Sequence, residues 1–167
     1  LFLDGRTDAD GEAARGVAGA GGADAGVAGR VELIGWRDVP RGPDAIGTLA
    51  RGRMPALVQA VLRRPDGLED RDAERLAYRI RRRATRAARE AGVECYAASC
   101  SFLTVTYKAM ADAAQLGDSY PDLDDARFVS ALAVFHSRFS TNTMPTWQRA
   151  QPFRMLCHNG EINTIEG

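Results

Sequence analysis

The residues best equipped for chemistry crowd one stretch near the end of the chain. HSRFSTNTMPTWQRAQPFRMLCHNGEINT, from His136 to Thr164, holds both histidines, one of the three cysteines (Cys157), and Arg138 set among serine, threonine and asparagine. A guanidinium that ends an apolar run needs a carboxylate in its fork. That partner is either structural, Glu161 or Glu166, or the carboxylate of a ligand. Asn159-Gly160 is open in the same way. It is a common hairpin turn, and it can equally aim an amide side chain and a bare backbone N–H at one point, as an oxyanion requires. Cys157-His158 has the composition of a nucleophile and its base. Neighbours on a strand face opposite ways, however, and nothing in the sequence requires His136 to approach Cys157. Cys157 therefore reads as a small core residue.

These groups have to be positioned by the elements that enter the segment. RFVSALAVFHSRF is nearly continuous in apolar residues and predicts a strand buried on both faces, delivering His136-Ser137-Arg138 to a sheet end. FRMLCHNGEI predicts a second such strand, delivering His158-Asn159-Gly160. Two buried strands that turn abruptly polar make a pocket floor, because those polar groups need partners.

Upstream, LFLD reads as the tail of a strand and RVELIGWRDVP as a short strand ending at Pro40. RGPDAIG reads as a turn, and MPALVQAVLRRP suits either a strand or a short helix. Asp70 to Glu90 predicts a helix with Leu76, Ile80, Ala84, Ala87 and Ala88 near one face. Its acidic residues stand at the start and its arginines near the end, and Ala91-Gly92 supplies the stop. VECYAASCSFLTVTYKAM predicts a hairpin about Ser-Cys-Ser, and ADAAQLGDSYPDLDD a brief helix and an acidic turn region. The outline is an α+β layered domain.

Composition narrows the classes. Zero formal net charge gives no general attraction to nucleic acid or an anionic membrane. No apolar run approaches the roughly 20 residues that span a bilayer. Arg81-Arg82-Arg83 point about 100° apart on a helix, so they form a solvated face and not a blade for a groove. Three cysteines, an odd number, point to reduced thiols and a cytoplasmic location. Their spacing completes no zinc or iron–sulfur set. Residues 11–29 are rich in glycine and alanine, but Asp24 stands where a dinucleotide loop needs its last glycine, so this is a variable surface segment.

The motifs HSRFSTNT, then P-x-W-x-R-A-Q-P, then HNGEINT, in this order and spacing, resemble the glutaminase domain of the glutamate synthase large subunit family, class II glutamine amidotransferases. The likeness extends more weakly back through RFVSAL, the YPDL turn, the YK-containing strand, the arginine-rich helix and the GWRDVP strand. It implies an N-terminal-nucleophile (Ntn) hydrolase fold, an αββα sandwich of antiparallel sheets, here cut at both ends. Residues 1–167 would be part of one amidotransferase domain, with 131–167 as its active-site segment.

By the same resemblance Arg138 grips the α-carboxylate of L-glutamine with help from Thr141, and Asn159 and Gly160 hold the oxyanion. His136 and His158 are structural. The nucleophile, an N-terminal cysteine whose own amine is the base, is expected upstream of Leu1, and an acidic residue for the substrate amine beyond Gly167. In the full protein the resemblance implies ammonia passing to a synthase domain with FMN and an iron–sulfur cluster, fed by NAD(P)H or ferredoxin. A small flavoprotein electron-donor subunit is the expected partner, and no metal is expected in this chain. Two rivals stand beside it. Another class II amidotransferase, of amino-sugar, asparagine or purine pathways, would carry a different downstream domain. A non-catalytic assembly module would lack a mature Cys-Gly start.

Overall fold

A computed structural model describes residues 2–5, 15–16, 31–137 and 144–150. The chain divides into two compact units, the first formed by residues 1–38 and 55–105 and the second by 39–54 and 106–167.

The first unit is a four-stranded antiparallel sheet with one long helix. Its strands are β1 (Phe2–Gly5), β2 (Glu32–Asp38), β3 (Ala56–Arg63) and β4 (Cys95–Ser99), in the order β2-β3-β1-β4. Phe2 to Asp4 and Glu32 to Asp38 thus lie in strands, as LFLD and RVELIGWRDVP predict, with β2 ending two residues before Pro40. The ambiguous run at 54–65 is β3. It pairs with β2 on one side and β1 on the other, and Ala56, Leu57, Val58 and Ala60 are buried. Ladders on both edges make it an inner strand, and the burial of Ala56, Leu57 and Val58 in succession hides the alternation that would have identified it. The β2–β3 register slips between Leu33 and Gly35, at a glycine where the chain has no side chain to hold alignment.

The helix, α1 in the second unit being shorter and earlier in the chain (Thr48–Arg51), is α2, Asp70–Glu90. Asp70 and Asp72 occupy its first turn and Arg89 its last, each favourable to the helix dipole. It ends in a Schellman motif. Gly92 takes φ +71° and donates its N–H to Arg89 O at 3.1 Å, and Val93 N–H reaches Ala88 O at 2.9 Å. The buried face is Ala73, Leu76, Ala77, Ala84 and Ala88. Leu76, Ala84 and Ala88 are buried as periodicity suggests; the face begins a turn earlier, at Ala73, and Ile80 and Ala87 are only half-buried. The arginine cluster stays outside the core, with Arg82 exposed and the Arg81 guanidinium over the Tyr78 ring at 5.2 Å.

α2 packs on β4. Val58 and Ala97 form a buried cluster with Trp36, Val93 and Cys95 against it. Burying a valine or leucine side chain completely contributes roughly 1.5–3 kcal/mol, so Leu57, Val58 and Leu76 are the main apolar anchors of this unit.

Of the hairpin predicted about Ser-Cys-Ser, the first arm is β4 and the second does not form; the described chain from Phe102 to Met110 contains no strand. The amides a hairpin would offer are used otherwise. Phe102 N–H donates to Glu74 Oε1 at 2.8 Å, and the N–H groups of Leu103 and Thr104 both donate to Ser101 Oγ at 3.0 Å. The helix and a serine turn outcompete the ladder.

The second unit is made of short pieces: α1, α3 (Leu116–Ser119) and tight 3-10 turns at Pro43–Ala45, Ala113–Gln115 and Pro121–Asp124. Val39, Ile46, Tyr120, Trp147 and Ala150 are buried within it. A capping box opens the middle turn, with Gln115 Oε1 accepting the Asp112 N–H at 2.9 Å.

Gly42 is the tightest point. Its N–H donates to Ser119 O at 3.0 Å, and a Cβ there would stand 2.0 Å from the Asp118 carbonyl oxygen. Gly42→Ala is expected to push the two backbones apart at a cost of about 1–3 kcal/mol. The effect would be read in the full-length protein as faster amide exchange over residues 113–124; unchanged exchange would show that the contact has slack.

The expected buried strand at 127–139 is also corrected. Residues 127–137 contain no strand, and Val129, Leu132 and Phe135 are 85%, 78% and 81% exposed. Phe128 and Val129 donate backbone N–H groups into local turns, to Asp125 O and Arg127 O. Ser130 Oγ donates to Leu132 O at 2.6 Å and so folds the chain on itself. An apolar run becomes a strand only where a neighbour supplies the ladder, and none of the described residues does so. The second expected strand, FRMLCHNGEI, lies outside the described residues.

Candidate functional site

Arg138, Thr141, Asn159 and Gly160, the residues expected to bind substrate and oxyanion, all lie outside the described residues, as do Cys157 and His158. The structure does describe the chain on either side of the first pair, up to Ser137 and again from Met144 to Ala150, together with the groups that hold it.

Approaching Arg138, the chain turns at Asp125. The Arg127 guanidinium pairs with this carboxylate at 2.6 Å, and the Arg127 N–H donates to it at 2.8 Å. The side-chain pairing first, and then the backbone bond, hold the Asp125 carboxyl below the usual carboxylate range. The pair is exposed and sets local direction more than stability. His136 is half-buried at the end of this run.

Further along the chain, Thr146 to Ala150 form a tight turn. The N–H groups of Arg149 and Ala150 both donate to Thr146 O at 3.1 Å. Trp147 and Ala150 are the buried side chains of this turn. The Trp147 indole N–H is buried and finds no partner among the described residues.

The turn is held from below by a lysine. Lys108 is 4% exposed, and its Nζ donates to the Gln148 carbonyl at 2.8 Å. The Tyr120 hydroxyl donates to the Lys108 carbonyl. Tyr120 in turn meets Tyr107 edge to face, centroids 5.0 Å apart, and the Tyr107 hydroxyl donates to Asp122 Oδ2 at 2.7 Å. Composition and periodicity did not single out this network. The order Tyr-Lys followed by Ser-Tyr-Pro-Asp was its one sequence signal.

Neither described cysteine is placed as a nucleophile. Cys100 donates its thiol to the Ala77 carbonyl at 3.2 Å, and burial pushes that thiol up from its ordinary value. It therefore remains protonated, the unreactive form. Cys95 packs beside Val58 and Ala97. Among the described residues no three His, Cys, Asp or Glu gather in a way that could hold a metal ion. No described helix is long and apolar enough to cross a membrane.

Comparison with known proteins agrees with the motif order. The chain is 46% identical over 136 residues to the glutamate synthase (NADPH) large chain of Azospirillum brasilense, and 45% identical to that of Bacillus subtilis (strain 168), covering 81% of this chain in each case. It is 42% identical over 139 residues to the chloroplastic ferredoxin-dependent glutamate synthase of Spinacia oleracea, covering 82% of this chain. The chain spans only 9% of the length of each of these relatives. The family model of the class-II glutamine amidotransferases matches residues 23–167, which takes in β2, β3, β4 and α2 of the first unit, the lysine-held turn and the three motifs, and leaves out β1. With its helical and antiparallel elements and its match over most of its length, this chain belongs to the class-II glutamine amidotransferases.

Proposed function

We propose that residues 1–167 are part of one glutaminase domain that supplies ammonia within a glutamate synthase. The observation that carries this is the family match over 23–167 with the Arg138, Asn159 and Gly160 motifs intact and in order. In this reading the domain is an Ntn-type αββα sandwich, and the antiparallel sheet with α2 is part of it.

Arg138 holds the α-carboxylate of glutamine through its planar fork, with Thr141 beside it. An N-terminal cysteine thiolate, from a part of the protein outside this sequence, attacks the side-chain amide carbonyl. The oxyanion that forms is met by the Asn159 amide and the Gly160 N–H. Collapse breaks the C–N bond, the departing nitrogen takes a proton from the cysteine's own α-ammonium, and ammonia leaves. Water then cleaves the thioester to glutamate and regenerates the thiol. The protonated, hydrogen-bonded state of Cys100 agrees with a nucleophile from elsewhere.

The ammonia is used with 2-oxoglutarate and reducing equivalents to form a second glutamate. FMN, an iron–sulfur cluster and an electron supply from NAD(P)H or ferredoxin belong to the synthase portion, with a small flavoprotein as the partner where NAD(P)H is the donor. The described residues of this chain contain no cysteine cluster suited to iron–sulfur ligation.

The full-length protein, given glutamine labelled with ¹⁵N in its side-chain amide, 2-oxoglutarate and a reductant, is expected to place the label in the α-amine of new glutamate. Glutamine left intact, or label delivered to an amino sugar or a nucleotide precursor, would overturn this function.

A further inference from the structure

Lysine is almost never fully buried without a purpose for its charge, because the ammonium loses its hydration. A methionine of similar length would fill the same space without that penalty. Lys108 is nonetheless buried, and among its contacts its ammonium donates to the backbone carbonyl of Gln148, 2.8 Å away across 40 residues of sequence. That bond is charge-assisted and directional, so it fixes the height and tilt of one peptide group.

The lysine is anchored at its other end as well. Its carbonyl receives the hydroxyl of Tyr120, a side chain only 1% exposed. Tyr107, the residue before it, packs edge to face on Tyr120 and on Phe128. Lys108 is therefore a strut between the 3-10 turns around Tyr120 and the turn at Thr146–Ala150. Gln148 lies midway in sequence between Arg138 and Asn159. The peptide gripped by the ammonium thus belongs to the stretch of chain that joins the two halves of the proposed site.

We propose that Lys108 is a positioning residue for glutamine hydrolysis: by holding the Gln148 carbonyl it sets the chain connecting the carboxylate clamp to the oxyanion donors. The inference rests on the glutaminase reading above. The effect of Lys108 passes through the Gln148 peptide group that it holds.

The test uses the full-length protein with Lys108→Met and Lys108→Arg, measuring kcat and KM with glutamine and, separately, with ammonia, alongside thermal melting. Lys108→Met is expected to lower kcat/KM for glutamine roughly 10- to 100-fold, as a small misplacement of positioned groups does. The ammonia-dependent rate should stay within about twofold of the parent, since that reaction does not pass through the glutaminase site. Lys108→Arg, which keeps a charged donor, should recover most of the loss. If Lys108→Met does not accumulate as folded protein, Tyr120→Phe removes the other anchor and keeps the ring. It should lower glutamine turnover alone, by about 3- to 10-fold.

Glutamine and ammonia rates falling in parallel, or a glutamine rate unchanged in Lys108→Met (or in Tyr120→Phe where that variant is used), would overturn the positioning role. A parent protein that does not hydrolyse glutamine would instead overturn the functional reading, and this inference with it.

Discussion

Arg138→Ala in the full-length protein is expected to remove nearly all glutamine-dependent glutamate formation while leaving ammonia-dependent formation intact. Truncating one member of a desolvated, hydrogen-bonded charge pair costs about 2–5 kcal/mol, or roughly 30- to 3,000-fold in kcat/KM. Most of the loss should appear in KM, because a clamp on the α-carboxylate binds ground state and transition state alike. Arg138→Lys should rescue poorly, since an ammonium cannot make the two parallel bonds of a guanidinium. Steady-state kinetics with each nitrogen source checks this. An equal loss with glutamine and with ammonia would remove Arg138 from substrate binding and return it to the structural partners Glu161 or Glu166.

Asn159→Ala is expected to behave in the opposite way, with kcat for glutamine hydrolysis falling about 10²- to 10³-fold and KM moving little. The amide is needed only when the carbonyl oxygen becomes an anion, so its loss is felt in the transition state and hardly at all in binding. Asn159→Gly should act like alanine, because it too lacks the donor. A hairpin role for Asn159-Gly160 predicts a different ranking, with glycine tolerated at the turn and alanine resisted. Comparing the two variants therefore separates turn geometry from oxyanion stabilisation, and unchanged turnover in both would leave the pair as a turn.

The parts of the fold legible in the sequence are those that local patterns determine. α2 runs over Asp70–Glu90 as its periodicity, its acidic start and Gly92 require. Leu76, Ala84 and Ala88 of its buried face were legible, whereas Ala73 and Ala77 were not, because alanine is apolar enough to be buried and small enough to be passed over. β3 was not legible as a strand, since Ala56, Leu57 and Val58 are buried in succession and alternation disappears. The two incorrect strands fail for one physical reason. A strand is completed by a neighbour, and sequence does not show that Glu74 will take the Phe102 amide or that residues 128–135 have no described ladder partner.

The candidate site shows the same division. Arg138, Thr141, Asn159 and Gly160 are proposed from motif order, because residue types in that order carry the chemistry, and they lie outside the described residues. The lysine that holds the turn at Thr146–Ala150 was not legible in the same way. Lysine is read by type as a surface residue, and only the packing places Lys108 beneath the Gln148 carbonyl.

The alanine face of α2 has a consequence of its own. With Ala73, Ala77, Ala84 and Ala88 turned inward and Leu76 the one larger buried side chain, the helix axis can approach the sheet closely. Layers set so near together are asymmetric in what they tolerate. Shaving a side chain leaves a small hole, whereas each added methyl group acts as a wedge that lifts a whole helix from its sheet. Growth, more than loss, is the direction in which this half of the molecule is fragile.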